Sequence, residues 1–247
     1  MLRFTDIIIA CVITFVSFTS YAHNTELTHV RVCGDAIDWP PYTYVVNDVA
    51  YGSDVVILDK ALVQNGVSYD ITMTSWSRCL RGTKSGEFDL ALSASFSNTR
   101  TKDFLYTEWY YSITPYYIYS STRFPQGLEI TSVQDLSAYK VCGNHGYNYA
   151  DFELKNIIRE GNSVKDVLTK LRQGECEVYL NWLEIIDGLK SVWGIEYITD
   201  DLVAKAIPNM PPHKFYMLIS KQFPAQAKLK QVLDNYLISL QVNQTAP

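Results

Sequence analysis

Arg100 follows an apolar run that ends in small hydroxyl residues; residues 90–111 read LALSASFSNTRTKDFLYTEWYY. A guanidinium presents two parallel charge-assisted donors to a carboxylate, and hydroxyls such as those of Ser93 and Ser95, with loop amides, complete the oxygen shell. The chemistry that fits is the grip on a small carboxylate. An arginine at a strand end is equally a solvated surface charge, because arginine is mostly exposed in folded proteins. What separates the two readings is the company Arg100 keeps in space, which depends on the elements that carry it.

Those elements alternate. Residues 28–33 (THVRVC) predict a strand, 54–64 an amphipathic helix, 69–74 a strand, 77–86 a helix and 88–93 a buried strand. Such a βαβαβ order predicts a mostly parallel sheet with helices on both faces and ligands at the carboxyl ends of its strands. Residues 35–42, 75–76 and 93–100 all fall at those ends. A second alternating set starts after a strand at 116–120. It comprises a strand at 140–143, a short helix at 149–154, a helix at 163–173 closed by Gly174, a strand at 177–180 and a helix at 182–189. Residues 215–219 predict one more strand and 225–240 a closing helix, with the turn signal NMPP at 209–212 before them. Two α/β units joined by two crossings predict two lobes with a cleft between them.

The chain has 247 residues, a formal net charge of −5 and no basic run, which excludes a nucleic-acid footprint. It opens with Arg3, an apolar stretch at 7–18 and Ser20-Tyr21-Ala22, the three parts of a secretory signal peptide with cleavage expected after Ala22. Too few apolar residues precede Cys11 for a lipoprotein signal. The apolar stretch is also short of the roughly 20 residues of a spanning helix, and no later segment qualifies. Removing Cys11 leaves Cys33, Cys79, Cys142 and Cys176, an even set in an oxidising compartment, so two disulfides are expected. His23, His29, His145 and His213 are scattered and no Cys-x-x-Cys pair occurs, so neither a metal nor another cofactor is expected. The 18 tyrosines and 5 tryptophans are material for a pocket as well as for a core.

Several landmarks recur in a fixed order. Trp39-Pro40-Pro41-Tyr42 follows the first strand, Gly52 precedes the first helix, Trp76 precedes the second, and GEFDL at 86–90 leads into the strand ending at Ser93. Arg100 and FLYTEWYY come next, then DLSAYKVCGNHGY at 135–147 and LRQGECEVYL at 171–180. Together these resemble the extracellular solute-binding proteins of family 3, bilobal periplasmic proteins that carry polar amino acids and related compounds to ABC transporters. The resemblance implies a type II periplasmic binding fold, α/β throughout, with mixed, mostly parallel sheets, helices on both faces and the cleft between two lobes. It implies a signal peptide at 1–22, a first lobe at 23–115 and 215–247, a second lobe at 116–214, and hinge crossings near 115–120 and 211–214.

The same resemblance implies that Arg100 and the Ser95 hydroxyl hold a ligand α-carboxylate, with the backbone of Ser93 near the amino group. It places Trp39 and Trp76 where aromatics sandwich the ligand side chain; core packing is the plainer reading of both, although each lies in a loop, where function concentrates. The second lobe departs from the family pattern. A Gly-Thr pair that helps cap the carboxylate is Gly146-Tyr147 here, and the aspartate that pairs with the ligand ammonium is replaced by Trp182, with Asn181 beside it. Without that anion the reason to prefer an α-ammonium weakens, since burying an unpaired charge is costly. Tyr147, Asn148 and Trp182 are then expected to form an aromatic, amide-rich floor for an aromatic or uncharged-amine carboxylate.

Cys33 ends the first strand and Cys79 opens the helix after its neighbour, so Cys33 is expected to pair with Cys79 and Cys142 with Cys176. Four cysteines allow three pairings, and the sequence leaves all three open. The function expected is a monomeric periplasmic protein that closes on a small carboxylate and delivers it to a membrane permease. A dehydratase resembling cyclohexadienyl dehydratases is the enzymatic alternative, with Glu108 and His145 as isolated proton-transfer candidates. A sensory protein that presents its closed form to a membrane receptor is the third.

Overall fold

The computed structural model describes residues 26–37 and 39–245. The expected signal peptide and its cleavage site lie outside the described residues, as do Cys11 and His23.

The chain begins with β1 (His29–Asp35), a hairpin of β2 (Tyr44–Val46) and β3 (Val49–Tyr51), and α1 (Ser53–Ala61). It continues with β4 (Ser68–Thr74), α2 (Trp76–Ser85), β5 (Leu90–Ser95) and two short strands, β6 (Phe104–Tyr106) and β7 (Tyr111–Ile113). A second group runs β8 (Pro115–Ser120), β9 (Val141–Asn144), β10 (Ile158–Gly161), α3 (Val164–Gln173), β11 (Val178–Trp182), α4 (Leu183–Trp193) and β12 (Leu202–Ala206). β13 (His213–Ser220) and α5 (Gln226–Thr245) complete it.

Two large sheets result, one per lobe, beside the small β2–β3 sheet. The first has the order β4-β1-β5-β13-β6, with β7 also on β13; the second has the order β10-β9-β11-β8-β12. β1 pairs in parallel with β4 and β5, and β9 in parallel with β10 and β11, as the βαβ periodicity requires. The strands beside the crossings run antiparallel: β13 against β5, β6 and β7, and β8 against β11 and β12. β13 returns the chain to the first sheet after the whole second group, and α5 fastens it there. Leu229, Leu233 and Leu237 recur every four residues on α5 and are fully buried against a core that includes Val30, Val32, Leu90 and Ile219. Each such leucine contributes about 1.5–3 kcal/mol relative to exposure.

Element ends follow local chemistry. Ser163 accepts from the Asp166 amide at the start of α3, and Gly174, at φ 78°, closes the same helix in the left-handed conformation that glycine adopts without penalty. Residues 149–154 form one turn of 3-10 helix, Ala150–Phe152. The periodicity missed the β2–β3 hairpin and β6, β7, β10 and β12, because strands of three to five residues are too short to show alternation. Cys33 is bonded to Cys79 and Cys142 to Cys176, so each bridge ties a strand of one sheet to the helix or loop next to it in the same half of the fold.

The two crossings run side by side. Thr114 joins β7 to β8 and gives its amide (2.7 Å) and hydroxyl (2.8 Å) to Glu184 in the first turn of α4. The returning chain passes next to it, where the Ile207 amide donates to Pro115 O at 3.0 Å.

Candidate ligand site

One cavity between the two sheets is lined by all eight residues named from the sequence: Trp39, Trp76, Ser93, Ser95, Arg100, Tyr147, Asn148 and Trp182. Gly34, Asp35, Thr43, Leu92 and Phe215 complete the lining. The carboxyl ends of β1 and β5 supply Asp35, Ser93 and Ser95, the position at which open α/β sheets present their ligands. Trp76 is the first residue of α2 rather than a loop residue, and Trp182 is the last residue of β11 rather than the first of a helix.

Arg100 is half-buried. It donates to the Ser95 carbonyl at 3.2 Å and lies over the Trp76 ring, 5.7 Å from its centroid. Burial lowers its pKa and the nearby Tyr106 hydroxyl opposes that shift, but a guanidinium stays charged at any physiological pH. Among the described residues no carboxylate forms an ion pair with it. A fixed cation that faces a cavity without an internal counter-ion attracts an anion.

Asp35, absent from the sequence-derived site, lines the same cavity and is the nearest thing there to an opposite charge. Burial pushes its pKa up to about 6, against the pull of hydrogen bonds from the amides of Ile37 and Trp76. It faces Tyr147, whose hydroxyl is driven well above the usual phenol range by burial first and by the Asp35 charge second. The signal for Asp35 was in the sequence: an acidic residue at the carboxyl end of the first strand.

Behind the wall sits Asp54, fully buried. Its Oδ2 accepts from Thr43 Oγ1 at 2.6 Å and from Ser93 Oγ at 2.7 Å. Ser93 therefore spends its hydroxyl inward, and its amide donates to the Tyr110 hydroxyl at 3.0 Å. Its φ of 54° lies in the left-handed region, a strained choice for serine that these bonds hold in place.

The opposite wall is aromatic. Trp182 stacks on Tyr149 with centroids 5.8 Å apart and donates its indole N–H away from the cavity, to His213 Nδ1 at 3.1 Å. Asn181 points into the core, bonded to Tyr179 and to the Trp182 amide, and takes no part in the cavity. The walls meet: Trp39 packs edge-on against Tyr147 (5.2 Å) and Trp182 (5.7 Å), and Asn148 Nδ2 donates to Ser95 Oγ (3.0 Å) and Phe96 O (3.2 Å). Tyr44 of the hairpin packs edge-on against Trp193 of α4, and at Gly188 a Cβ would fall 2.2 Å from Pro40 O. The space enclosed is small, about 50 Å³ open to the centre of a water molecule. Glu108 and His145 lie on the exposed surface and do not line it.

The sequence from 31 to 188 matches the model of the bacterial extracellular solute-binding proteins, family 3. The chain belongs to this family. No curated protein matches it. Solved structures similar to this family-3 protein include the arginine-, lysine-, histidine-binding protein ArtJ of Geobacillus stearothermophilus, at 17% identity and TM-score 0.68, covering 88% of this chain and 93% of that one. A histidine kinase sensor domain is similar at 16% identity and TM-score 0.69, covering 87% and 91%. An ancestral amino-acid-binding protein described as a precursor of cyclohexadienyl dehydratase is similar at 15% and 0.65, covering 88% and 91%. These likenesses show the fold, a bilobal type II periplasmic binding architecture. No described helix of this family-3 protein is long and apolar enough to cross a membrane.

Proposed function

We propose that this family-3 protein acts as an exported monomer in the periplasm, closing its lobes on a small carboxylate and handing it to a membrane permease. The observation that carries the reading is Arg100, a half-buried guanidinium in the cavity without an ion-pair partner among the described residues, held between the Ser95 carbonyl and the Trp76 ring. Asp35 supplies, from the first lobe, the anion that the second lobe lacks at Trp182. The ligand class is therefore amino-acid-like, with its carboxylate on Arg100 and a cationic or donor group on Asp35, rather than a carboxylate with an uncharged amine. Trp39, Trp76, Tyr147 and Trp182 enclose the body of the ligand, while Ser93, Ser95 and Asn148 set the rim. The lobes divide at 23–115 with 215–247 and at 116–214, and turn about the crossings near 115–120 and 211–214. Contacts to the second wall, made only on closure, provide the bias toward the closed form.

A thermal-shift screen of amino acids, keto acids and aromatic carboxylates tests the reading, since a ligand that binds only the native state raises the melting temperature. A zwitterionic amino acid among the hits, with affinity lost in Arg100→Ala, supports it; unchanged affinity in that variant overturns the carboxylate grip. The dehydratase reading has less support, because both isolated proton-transfer candidates lie outside the cavity. Formation of phenylpyruvate from prephenate would restore it.

A further inference from the structure

Asp54 carries a charge that the capture of a ligand does not explain. It is fully buried, none of the described cations pairs with it, and its Oδ1 has no hydrogen-bond partner among the described residues. Its Oδ2 is the end of a chain. Trp39 Nε1 donates to the Tyr111 hydroxyl at 2.9 Å, Tyr111 donates to Ser93 Oγ at 2.9 Å, and Ser93 donates to Asp54 at 2.7 Å.

This chain runs from the indole to the carboxylate. An indole N–H only donates, so the Tyr111 oxygen accepts from Trp39; the Tyr111 proton then goes to Ser93 and the Ser93 proton to Asp54, the nearest acceptor to each. An ionised carboxylate, acceptor only, is the terminus that such a chain requires. A protonated Asp54 offers two arrangements, both poor. A proton on Oδ1 lies buried with no acceptor, and a proton on Oδ2 competes with the hydroxyls of Thr43 and Ser93. If Ser93 accepted that proton instead, its own hydroxyl would be left only the more distant Tyr110 oxygen, 3.4 Å away.

We propose that Asp54 is a positioning residue, whose ionised carboxylate, acting through Ser93 and Tyr111, fixes the indole of Trp39 at the junction of the two walls. Trp39 is the first-wall residue that packs on both Tyr147 and Trp182, so the state of Asp54 reaches the contact on which closure depends. That consequence rests on the capture reading above; the hydrogen-bond chain itself does not, since Trp39, Tyr111, Ser93 and Asp54 all precede the first crossing.

The groups facing Asp54 are Thr43 and Tyr42 from the loop after β1, Ser93 from β5, Tyr110 from the segment leading into β7 and Tyr111 at its start; Glu184 of α4 acts together with Asp54 on Tyr42. Burial raises Asp54 to about 6, and the hydroxyls of Thr43, Ser93 and Tyr110 pull the other way. The chain is therefore intact above that pH and broken below it.

Indole ¹⁵N–¹H spectra of the ligand-free protein test this directly, with the Trp39 resonance assigned by its loss in Trp39→Phe. From pH 8 to 5 that resonance should shift upfield with a midpoint near 6 in the wild type and in Asp35→Asn, and should stand still in Asp54→Asn, where an amide oxygen still accepts from Thr43 and Ser93. A wild-type resonance that does not titrate overturns the proposal, as does a titration that persists in Asp54→Asn or disappears in Asp35→Asn. Should Asp54→Asn fail to fold, Ser93→Ala cuts the chain while leaving the carboxyl in place. Loss of the Trp39 titration there supports the proposal and its persistence overturns it. Unchanged affinity in Arg100→Ala would remove the capture reading and leave this result standing.

Discussion

The cleft wall built on the first sheet carries charge as well as rings, whereas the wall built on the second carries rings and an amide but no charge. On the first, Arg100 and Asp35 face the cavity and Asp54 stands behind them, each oriented by hydroxyls or backbone groups. On the second, Trp182 and Tyr147 present ring surface, and the polar atom of Trp182 is turned away to His213. Charged groups need fixed partners in a low dielectric, and rings need only area and shape. One wall is thus suited to deciding what binds, and the other to deciding whether the lobes stay shut.

Removing the cation should be the largest blow to that division. Arg100→Ala deletes charge-assisted hydrogen bonds worth about 1.5–3 kcal/mol each, so a two-bond grip predicts at least a hundredfold loss of affinity by calorimetry for a carboxylate found by thermal shift. Arg100→Lys keeps the charge without the fork and should recover only part of it.

Acid should separate by sign the carboxyls of the first wall from the histidine that holds Trp182. Burial raises Asp35 and Asp54 to about 6, above their unfolded values, so the stability tied to their protonation is fully present below the unfolded pKa and is lost as pH rises through 6. The scale is about 3 kcal/mol for each at most. His213 behaves oppositely: burial lowers its pKa, so its contribution is present at neutral pH and is lost as pH falls below the unfolded histidine value. Urea denaturation at pH 5 and 7.5 should show a smaller gain on acidification in Asp35→Asn than in the wild type, and a larger one in His213→Gln. Equal pH dependence in all three would erase the contrast.

Gly188→Val tests closure with the charged wall untouched. A side chain there meets the Pro40 carbonyl, so α4 and the Pro40 loop must separate, at a cost of about 1–3 kcal/mol typical of overpacking. Small-angle scattering with ligand present should give a larger radius of gyration than the wild type, with affinity reduced but not abolished. An effect no larger should come from Asn148→Ala, which removes the two bonds to Ser95 and Phe96 at about 0.5–1.5 kcal/mol each. Its signature is faster ligand release with an unchanged capture rate in stopped-flow fluorescence.

Much of the cavity lining was legible because strand ends are. Arg100, Ser93, Ser95, Trp39 and Trp76 lie where a parallel sheet presents its ligands, and that position can be read from periodicity alone. Asp35 and Asp54 were not named, since an aspartate beside a strand or at a helix start reads as a turn or capping residue until its burial is known. The orientation of residues 181 and 182 was equally hidden. The register of β11 decides that Trp182 lines the cavity while Asn181 enters the core, and register depends on pairing with β8, some sixty residues earlier in the sequence.

By itself, the order of residues determined the alternation of strands and helices, the family landmarks and the presence of one arginine just past the carboxyl end of a strand. These are local properties, written in hydrophobic period and in residue type. The tertiary structure decided which carboxyls share the cavity, which hydroxyls are spent on Asp54 and how the two walls meet at Trp39. Burial and hydrogen-bond direction arise from segments far apart in the chain, and no local pattern encodes them.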